Sequence, residues 1–332
     1  MTQLVDATSA MWAAVVPRYG GPEVVEVVRC PVPVPRRGEI RLRVLATTVS
    51  AADHRLRSLD VPAGFGWLVR LAFGLTRPRK RVLGAEVAGV VDAVGPGVEA
   101  FREGDRVFAL AGAQLGGHAE RCILRAEGAV APIPDGLAVE EAAALAFGGT
   151  AALHFLRTRA QLRRGERVLV NGATGAVGSA AVQLATHFGG EVTAVCSAEK
   201  AEVARALGAV EVLDYREVDF AELDRRWDVV VDTVGNCSYA RCHRVLAAGG
   251  RLALVAATLW QNLGALVPRS EGRRVLAGVA AERRDDLELL AELAVAGAYR
   301  PLVGRTFPLA RIADAHAHVS GGHKLGNVVV TL

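Results

Sequence analysis

The sequence predicts an α/β protein in two parts, a small β-rich unit and a larger doubly wound parallel-sheet unit. Three observations predict it. Up to about residue 130 the chain consists of short β runs punctuated by proline and glycine. Beyond that point strands and helices alternate, the pattern that builds a parallel sheet with helices on both faces. The strands of that second part, RVLV, DVVV and RLALV, are continuous apolar runs, as strands buried on both faces require. A length of 332 residues suits about two domains.

The elements follow in order. Residues 1–10 read as a loose leader. MWAAVV and EVVEVV are predicted strands, followed by the turn-rich PVPVPRRGE and the alternating strand IRLRVLATTVS. VAGVVDAV and DRVFAL continue a meander or barrel. APIPDGLAVEEAAALAFGGTAALHFL is a proline-punctuated linker running into Ala-rich helix. RVLVNGA, EVTAVCS, DVVVDTVG and RLALVAA are then strands. AVGSAAVQLATHFG, AEKAEVARALG and SYARCHRVLAAGG are the helices between them. GRTFPL, the helix ARIADAHAHV and the strand NVVVTL return to the β style at the end.

Composition narrows the function. The formal net charge is only +4, and the one basic cluster, Arg77 to Arg81, reads as a solvated loop. No nucleic-acid partner is expected. Five cysteines without a C-x-x-C are neither a disulfide framework nor a zinc ribbon. No stretch reaches the ~20 apolar residues of a membrane span, and the first residues lack the pattern of a secretory signal. A reduced, cytoplasmic location is the expectation.

The strongest local signal is RVLVNGATGAVGSAAVQLA, a strand, then A-x-G-x-x-G (Ala173, Gly175, Gly178), then a helix. Small residues permit a tight turn and close backbone approach. The helix N-terminus offers free N–H groups to a pyrophosphate. Thr174, Ala176 and Val177 complete the expected dinucleotide-binding turn. The following strand ends in Cys196 and Ser197 with no acid at its tip, where an NAD site carries Asp or Glu for the ribose 2′-hydroxyl. Ser197 and Lys200 suit a 2′-phosphate, with Glu199 as a competitor, so NADPH (NADP+) is expected over NADH.

These residues, with LGAEVAGVVDAVGPGVEAFREGDRVFAL at 83–110 and GGHAER at 116–121, resemble the medium-chain dehydrogenase/reductase superfamily, and within it the zinc-independent quinone oxidoreductase branch. The resemblance covers about residues 11–332. It implies a GroES-like catalytic domain at 11–132, completed by 299–332, and a Rossmann NADP-binding domain at 133–298. It also implies a homodimer paired through sheet edges, with RLALVAATLW as an edge strand. By the same likeness, Thr150 lies near the nicotinamide and Tyr215 flanks the 2′-phosphate. Gly235 and Asn236 end a strand along the cofactor, and Val255, Ala256 and Ala257 approach the nicotinamide. Asn327 stands where many relatives have Lys.

No metal is expected. Where the zinc-dependent branch has its ligand Cys and His, this chain has Ser50 and Ala85. His54, Glu86 and His118 are scattered donors and make a poor site. Without a metal the acceptor must already be electrophilic, so the expected substrate is a small hydrophobic quinone or α,β-unsaturated carbonyl. Hydride addition to such an enone leaves an enolate that needs hydrogen-bond donors and a proton. Ser50, His54, Arg55 and His118 are the candidate catalytic residues. Relatives often carry Asn at the position of Ser50 and Tyr at that of Arg55, so the proton donor stays open. Two alternatives stand beside this reading: a zinc-free alcohol or ketone dehydrogenase of a biosynthetic pathway, and a protein that holds NADPH with little turnover. The apolar segment 60–81 caps the substrate cleft through Phe65, Trp67 and Phe73, packs on its own domain or, as a third reading, makes a peripheral membrane contact.

Overall fold

The computed structural model describes residues 10–332. The predicted leader therefore lies outside the described residues except for Ala10, which opens a strand. Strands β1 (Ala10–Val15) and β2 (Glu26–Pro31) form an antiparallel ribbon. The strand predicted at 23–28 starts later than expected, because Pro22 opens a 3-10 turn over Pro22–Val24. Next come β3 (Glu39–Thr48), α1 (Ala51–Ser58), α2 (Gly66–Phe73), β4 (Glu86–Val94), β5 (Arg106–Leu110), β6 (Arg121–Arg125) and β7 (Ala129–Pro132). Side chains along β3 alternate between core and surface, matching the alternation of IRLRVLA.

Helix α3 (Val139–Leu153) leads into the second unit. There β8 (Arg167–Asn171), α4 (Ala176–His187), β9 (Glu191–Cys196), α5 (Ala201–Ala206), β10 (Glu211–Asp214) and β11 (Trp227–Asp232) alternate. After them follow α6 (Tyr239–Cys242), β12 (Leu246–Leu254), α7 (Leu259–Gly264), β13 (Arg274–Leu276) and α8 (Arg284–Val295). The chain then forms β14 (Val303–Pro308), α9 (Ile312–Ser320) and β15 (Asn327–Thr331).

Among the described residues, β8–β13 form a wholly parallel sheet in the order β10-β9-β8-β11-β12-β13. Counted from β8 this is the doubly wound order 3-2-1-4-5-6, whose chain reversal leaves a crevice at the carboxyl ends of the first and fourth strands, here β8 and β11. The other large sheet runs β14-β15-β3-β4-β5-β7, with β6 also paired to β3. In it β15 lies antiparallel to β3, Val329 opposite Thr48. Helix α3 joins the two. Its alanines, Ala142 to Ala146, are fully buried and share one core with Ala46, Ala88 and Phe108 of the first sheet and Val168, Val170 and Val229 of the second. Alanine on nearly every face lets strands and helices approach it closely.

Three further predictions are corrected. The helix expected over 238–250 is a single turn, α6, followed by a 3-10 turn, and β12 already begins at Leu246. Gly249 adopts a φ of 69°, a left-handed conformation that ends helical propagation. The strand absorbs 247–250 as an irregularity, with Leu246 opposite Trp227 and Arg251 opposite Val229. RLALVAATLW is not an edge either. Strand β12 is flanked by β13, which forms the edge, and Leu259 and Trp260 belong to α7. The segment 60–81 does not cap the main cleft, since none of Phe65, Trp67 and Phe73 lines it; it packs on its own domain through Phe73, which lies against the core of Val16, Val24 and Leu83, while Trp67 is left 64% exposed.

Candidate active site

A cleft of ≈ 590 Å³ opens at the carboxyl ends of β8, β9 and β11 and is closed on its far side by residues of the other sheet. This volume suits a ligand of cofactor size. Its floor is the turn between β8 and α4. Gly175 N–H donates to Gly172 O at 3.0 Å, and Ala173 N–H donates to Val195 O at 3.1 Å. The glycine at 178 is forced by packing, since a Cβ there would stand 2.0 Å from Gly172 O. At Gly175 a Cβ would meet nothing nearer than Gly172 O at 3.5 Å, so the backbone there is open to the cleft. Thr174, Gly175, Ala176 and Val177 line the cleft at the start of α4, whose first N–H groups have no partner within the helix. Small residues, an open turn and a helix N-terminus aimed at one space fit a dinucleotide diphosphate.

The end of β11 is shaped by a carboxylate that the sequence did not single out. Asp232, buried, accepts N–H bonds from Val234, Gly235 and Cys237 at 3.0–3.2 Å. Asn171 Nδ2 bridges Asp232 Oδ1 and Asn236 Oδ1, at 2.9 and 2.7 Å. Asn236 is thereby fixed on the cleft wall, while Gly235 sits behind it in the turn.

Beyond β9 this end of the cleft is polar. Ser197, Lys200 and Tyr215 all line the cleft. The acid that was expected to compete is occupied: both oxygens of Glu199 are held by Arg216 at 3.1 Å. Lys200 Nζ donates to His323 O at 2.8 Å, tying this end to the loop before β15.

At the opposite end Val49, Ser50, Arg55, Glu86 and Phe147 line the cleft. Ser50 caps α1. Its hydroxyl accepts Asp53 N–H at 3.3 Å and donates to Asp53 Oδ2 at 2.7 Å. Asp53 is a buried staple, and its other oxygen accepts Gly84 N–H at 2.9 Å. Burial holds the Arg55 guanidinium below its usual pKa, with Asp60 acting in the opposite sense. Glu86, overlooked as anything but a scattered donor, is buried and accepts from the Thr48 hydroxyl and, at 3.0 Å, from Phe147 N–H. Burial pushes its carboxyl up to about 7. Lys324, not foreseen either, lines the same cleft, and burial brings its ammonium down to about 8. Neither residue carries a motif; only the fold brings β4 and the final loop together.

The remaining candidates lie elsewhere. His118 is buried, its Nε2 2.8 Å from Thr48 O and its ring edge-on to His316. His54 meets Ser320 Oγ at 3.0 Å and Arg57 at 3.2 Å, away from the cleft lining. Thr150 donates to Ala146 O at 2.8 Å. With Val255 it lines a smaller cavity of ≈ 150 Å³ that shares the wall residue Phe147. Ala173, Gly178, Ala256 and Ala257 also fall outside the lining of the main cleft, whereas Asn327 belongs to it. Among the described residues no three His, Cys, Asp or Glu side chains converge as a metal site, and no helix is long and apolar enough to cross a membrane.

Comparison with known proteins accords with this geometry. The "Alcohol dehydrogenase GroES-like domain" family profile matches residues 36–162, and the "Zinc-binding dehydrogenase" profile matches 207–330. Human quinone oxidoreductase is 28% identical over 95% of this chain and 95% of its own. The chloroplastic NADPH-dependent alkenal/one oxidoreductase of Arabidopsis thaliana is 32% identical over 94% of this chain and 77% of its own. The structure of the quinone oxidoreductase from Coxiella burnetii superposes with a TM-score of 0.87 at 25% identity, covering 97% of this chain and 99% of that one. A GroES-like sheet with its closing strand from the last residues, a doubly wound nucleotide-binding sheet and an oxidoreductase cleft between them are the features of one family: the chain belongs to the quinone oxidoreductase-like branch of the medium-chain dehydrogenase/reductase superfamily.

Proposed function

We propose that the protein is an NADPH-dependent, zinc-independent reductase of quinones or α,β-unsaturated carbonyls. Residues 133–298 hold most of the cofactor, and 11–132 with 299–332 present the acceptor, the closing segment also reaching the cofactor cleft through Asn327. The observation that carries the cofactor preference is the polar end of the cleft. Ser197, Lys200 and Tyr215 converge there beyond an acid-free β9 tip, and the nearby Glu199 is already held by Arg216. An ammonium beside an unopposed 2′-phosphate favours NADPH. The name of the Arabidopsis relative, an NADPH-dependent alkenal/one oxidoreductase, supports the same direction.

When bound, the nicotinamide supplies the hydride. The protein's part is to bind, orient and polarise. Thr174 to Val177 receive the diphosphate, and Asn171 and Asp232 fix the Asn236 wall along it. Zinc is not invoked, because Ser50 and Ala85 occupy the positions the resemblance assigns to ligands and the Ser50 hydroxyl is engaged with Asp53. Arg55, at the cleft wall, is a hydrogen-bond donor available to an oxygen that gains negative charge.

The test is fluorescence titration with NADPH and NADH, followed by NADPH oxidation against a panel of quinones and enones. Tight NADPH and weak NADH binding, with NADPH affinity falling more than tenfold in Lys200→Ala, is the expected result. Equal binding of both nucleotides, untouched by the substitution, would overturn the preference. Tight NADPH binding with no acceptor turned over would favour the holding-protein alternative.

A further inference from the structure

The loop between α9 and β15, residues 321–326, crosses from the first sheet to the nucleotide-binding turn. It is fastened at two points. Gly326 N–H donates to Thr174 O at 2.8 Å, and Gly326 pairs with Gly175 as an isolated bridge. Lys200 Nζ holds His323 O at 2.8 Å. Between these ties stands Lys324. Its ammonium donates to Gly326 O, the residue directly paired with the turn, and it lines the cleft together with Thr174, Gly175 and Ala176.

An ammonium has three donors. One is committed to Gly326 O. No ion pair within 4.0 Å joins Lys324 to a carboxylate among the described residues, and Glu86 acts on it only at longer range. A half-buried cation lining a cleft, with spare donors, is favoured where an anion completes its shell. Beside it lies the turn whose open backbone and helix N-terminus suit a diphosphate. Asn327 adds a contrast. The resemblance places a lysine at that position in many relatives, but here the Asn327 amide is turned to Leu302 O at 3.2 Å. The cation of this chain comes from three residues earlier, on the loop itself.

We infer that Lys324 is a cofactor-binding residue whose ammonium contacts the diphosphate of the bound dinucleotide, carried to it by the loop from the opposite sheet. This rests on the dinucleotide reading of the cleft and deepens it: Lys200 reads the 2′-phosphate, which only NADPH has, and Lys324 reads the diphosphate, which both nucleotides share.

Titration of the whole protein with NADPH, NADH, ADP and AMP tests this. In Lys324→Met, NADPH, NADH and ADP should all weaken by about tenfold or more. AMP, which lacks the diphosphate, should weaken far less, and Lys324→Arg should recover most of the loss. Lys324→Gln keeps a donor for Gly326 O, so it should fold even if the methionine variant does not, and it should show the same pattern. Retention of both dinucleotides within twofold in the glutamine variant would overturn the assignment, as would loss of NADPH alone. Failure of the wild-type protein to bind any of the dinucleotides would overturn the cofactor reading itself. That result is separable, because it appears before any substitution is made.

Discussion

Arg216 grips Glu199 through both terminal nitrogens, Nη1 on one carboxylate oxygen and Nη2 on the other, each at 3.1 Å. The pair is exposed, so its worth to stability is small. Its worth to specificity is larger. Arg216→Ala should leave an unpaired carboxylate next to Ser197 and Lys200, repelling a 2′-phosphate and offering an acceptor to a 2′-hydroxyl. The expected outcome is a several-fold fall in NADPH affinity with NADH affinity held or improved, read by paired titrations. Unchanged NADPH binding would show that Glu199 is too distant to matter.

Gly178→Ala places a Cβ against Gly172 O, at 2.0 Å in the unrelaxed backbone. Helix α4 must then shift from the turn. A loss of about 1–3 kcal/mol in unfolding free energy is expected, together with a larger loss of nucleotide affinity because the open turn is disturbed. Denaturant unfolding and NADPH titration on the same sample check both parts.

The carboxyl of Glu86 is raised by burial from 4.5 to about 7. Folding therefore favours its protonated form. The stability this group contributes is fully present below pH ~4.5 and is lost as pH rises through about 7, an effect on the order of 3 kcal/mol. Glu86→Gln cannot ionise; its single oxygen can accept from Phe147 N–H while its amide NH2 donates to the Thr48 hydroxyl oxygen, with the hydroxyl turned round. The variant should gain on the wild type between pH 5 and 8, measured as the difference in unfolding free energy. Parallel profiles would show that Glu86 does not titrate in this range.

Asp53 satisfies Ser50 N–H, the Ser50 hydroxyl and Gly84 N–H together. Asp53→Ala strands the buried Gly84 N–H and should cost ~2–3 kcal/mol. Ser50→Ala removes only the cap, ~1 kcal/mol. If Ser50 serves only as a cap, thermal stability falls in its variant while kcat for an enone is kept.

Much of this molecule is written locally. The apolar runs RVLV and DVVV are strands because both of their faces are covered, and the A-x-G-x-x-G spacing is a turn because Gly178 must touch Gly172. What local pattern misses is set by contacts distant in sequence. Glu86 and Lys324 share a cleft only because β15 inserts beside β3. His118 of GGHAER, a candidate catalytic residue from sequence, is instead packed against Thr48 and His316. In SYARCHRVLAAGG the helical composition yields to Gly249 and to pairing with β11.

The insertion of β15 between β14 and β3 has a consequence for biogenesis. Strand β3 is made early and its neighbour β15 only after the whole parallel sheet. During synthesis the edge of β3 that will receive β15 stays unpaired while the nucleotide-binding unit can already fold, since its strands are contiguous in the chain. An unpaired strand edge is a template for aggregation. A ribosome stalled before residue 327 should therefore carry a folded second unit and an unfinished first one, in need of chaperone cover until the last strand arrives.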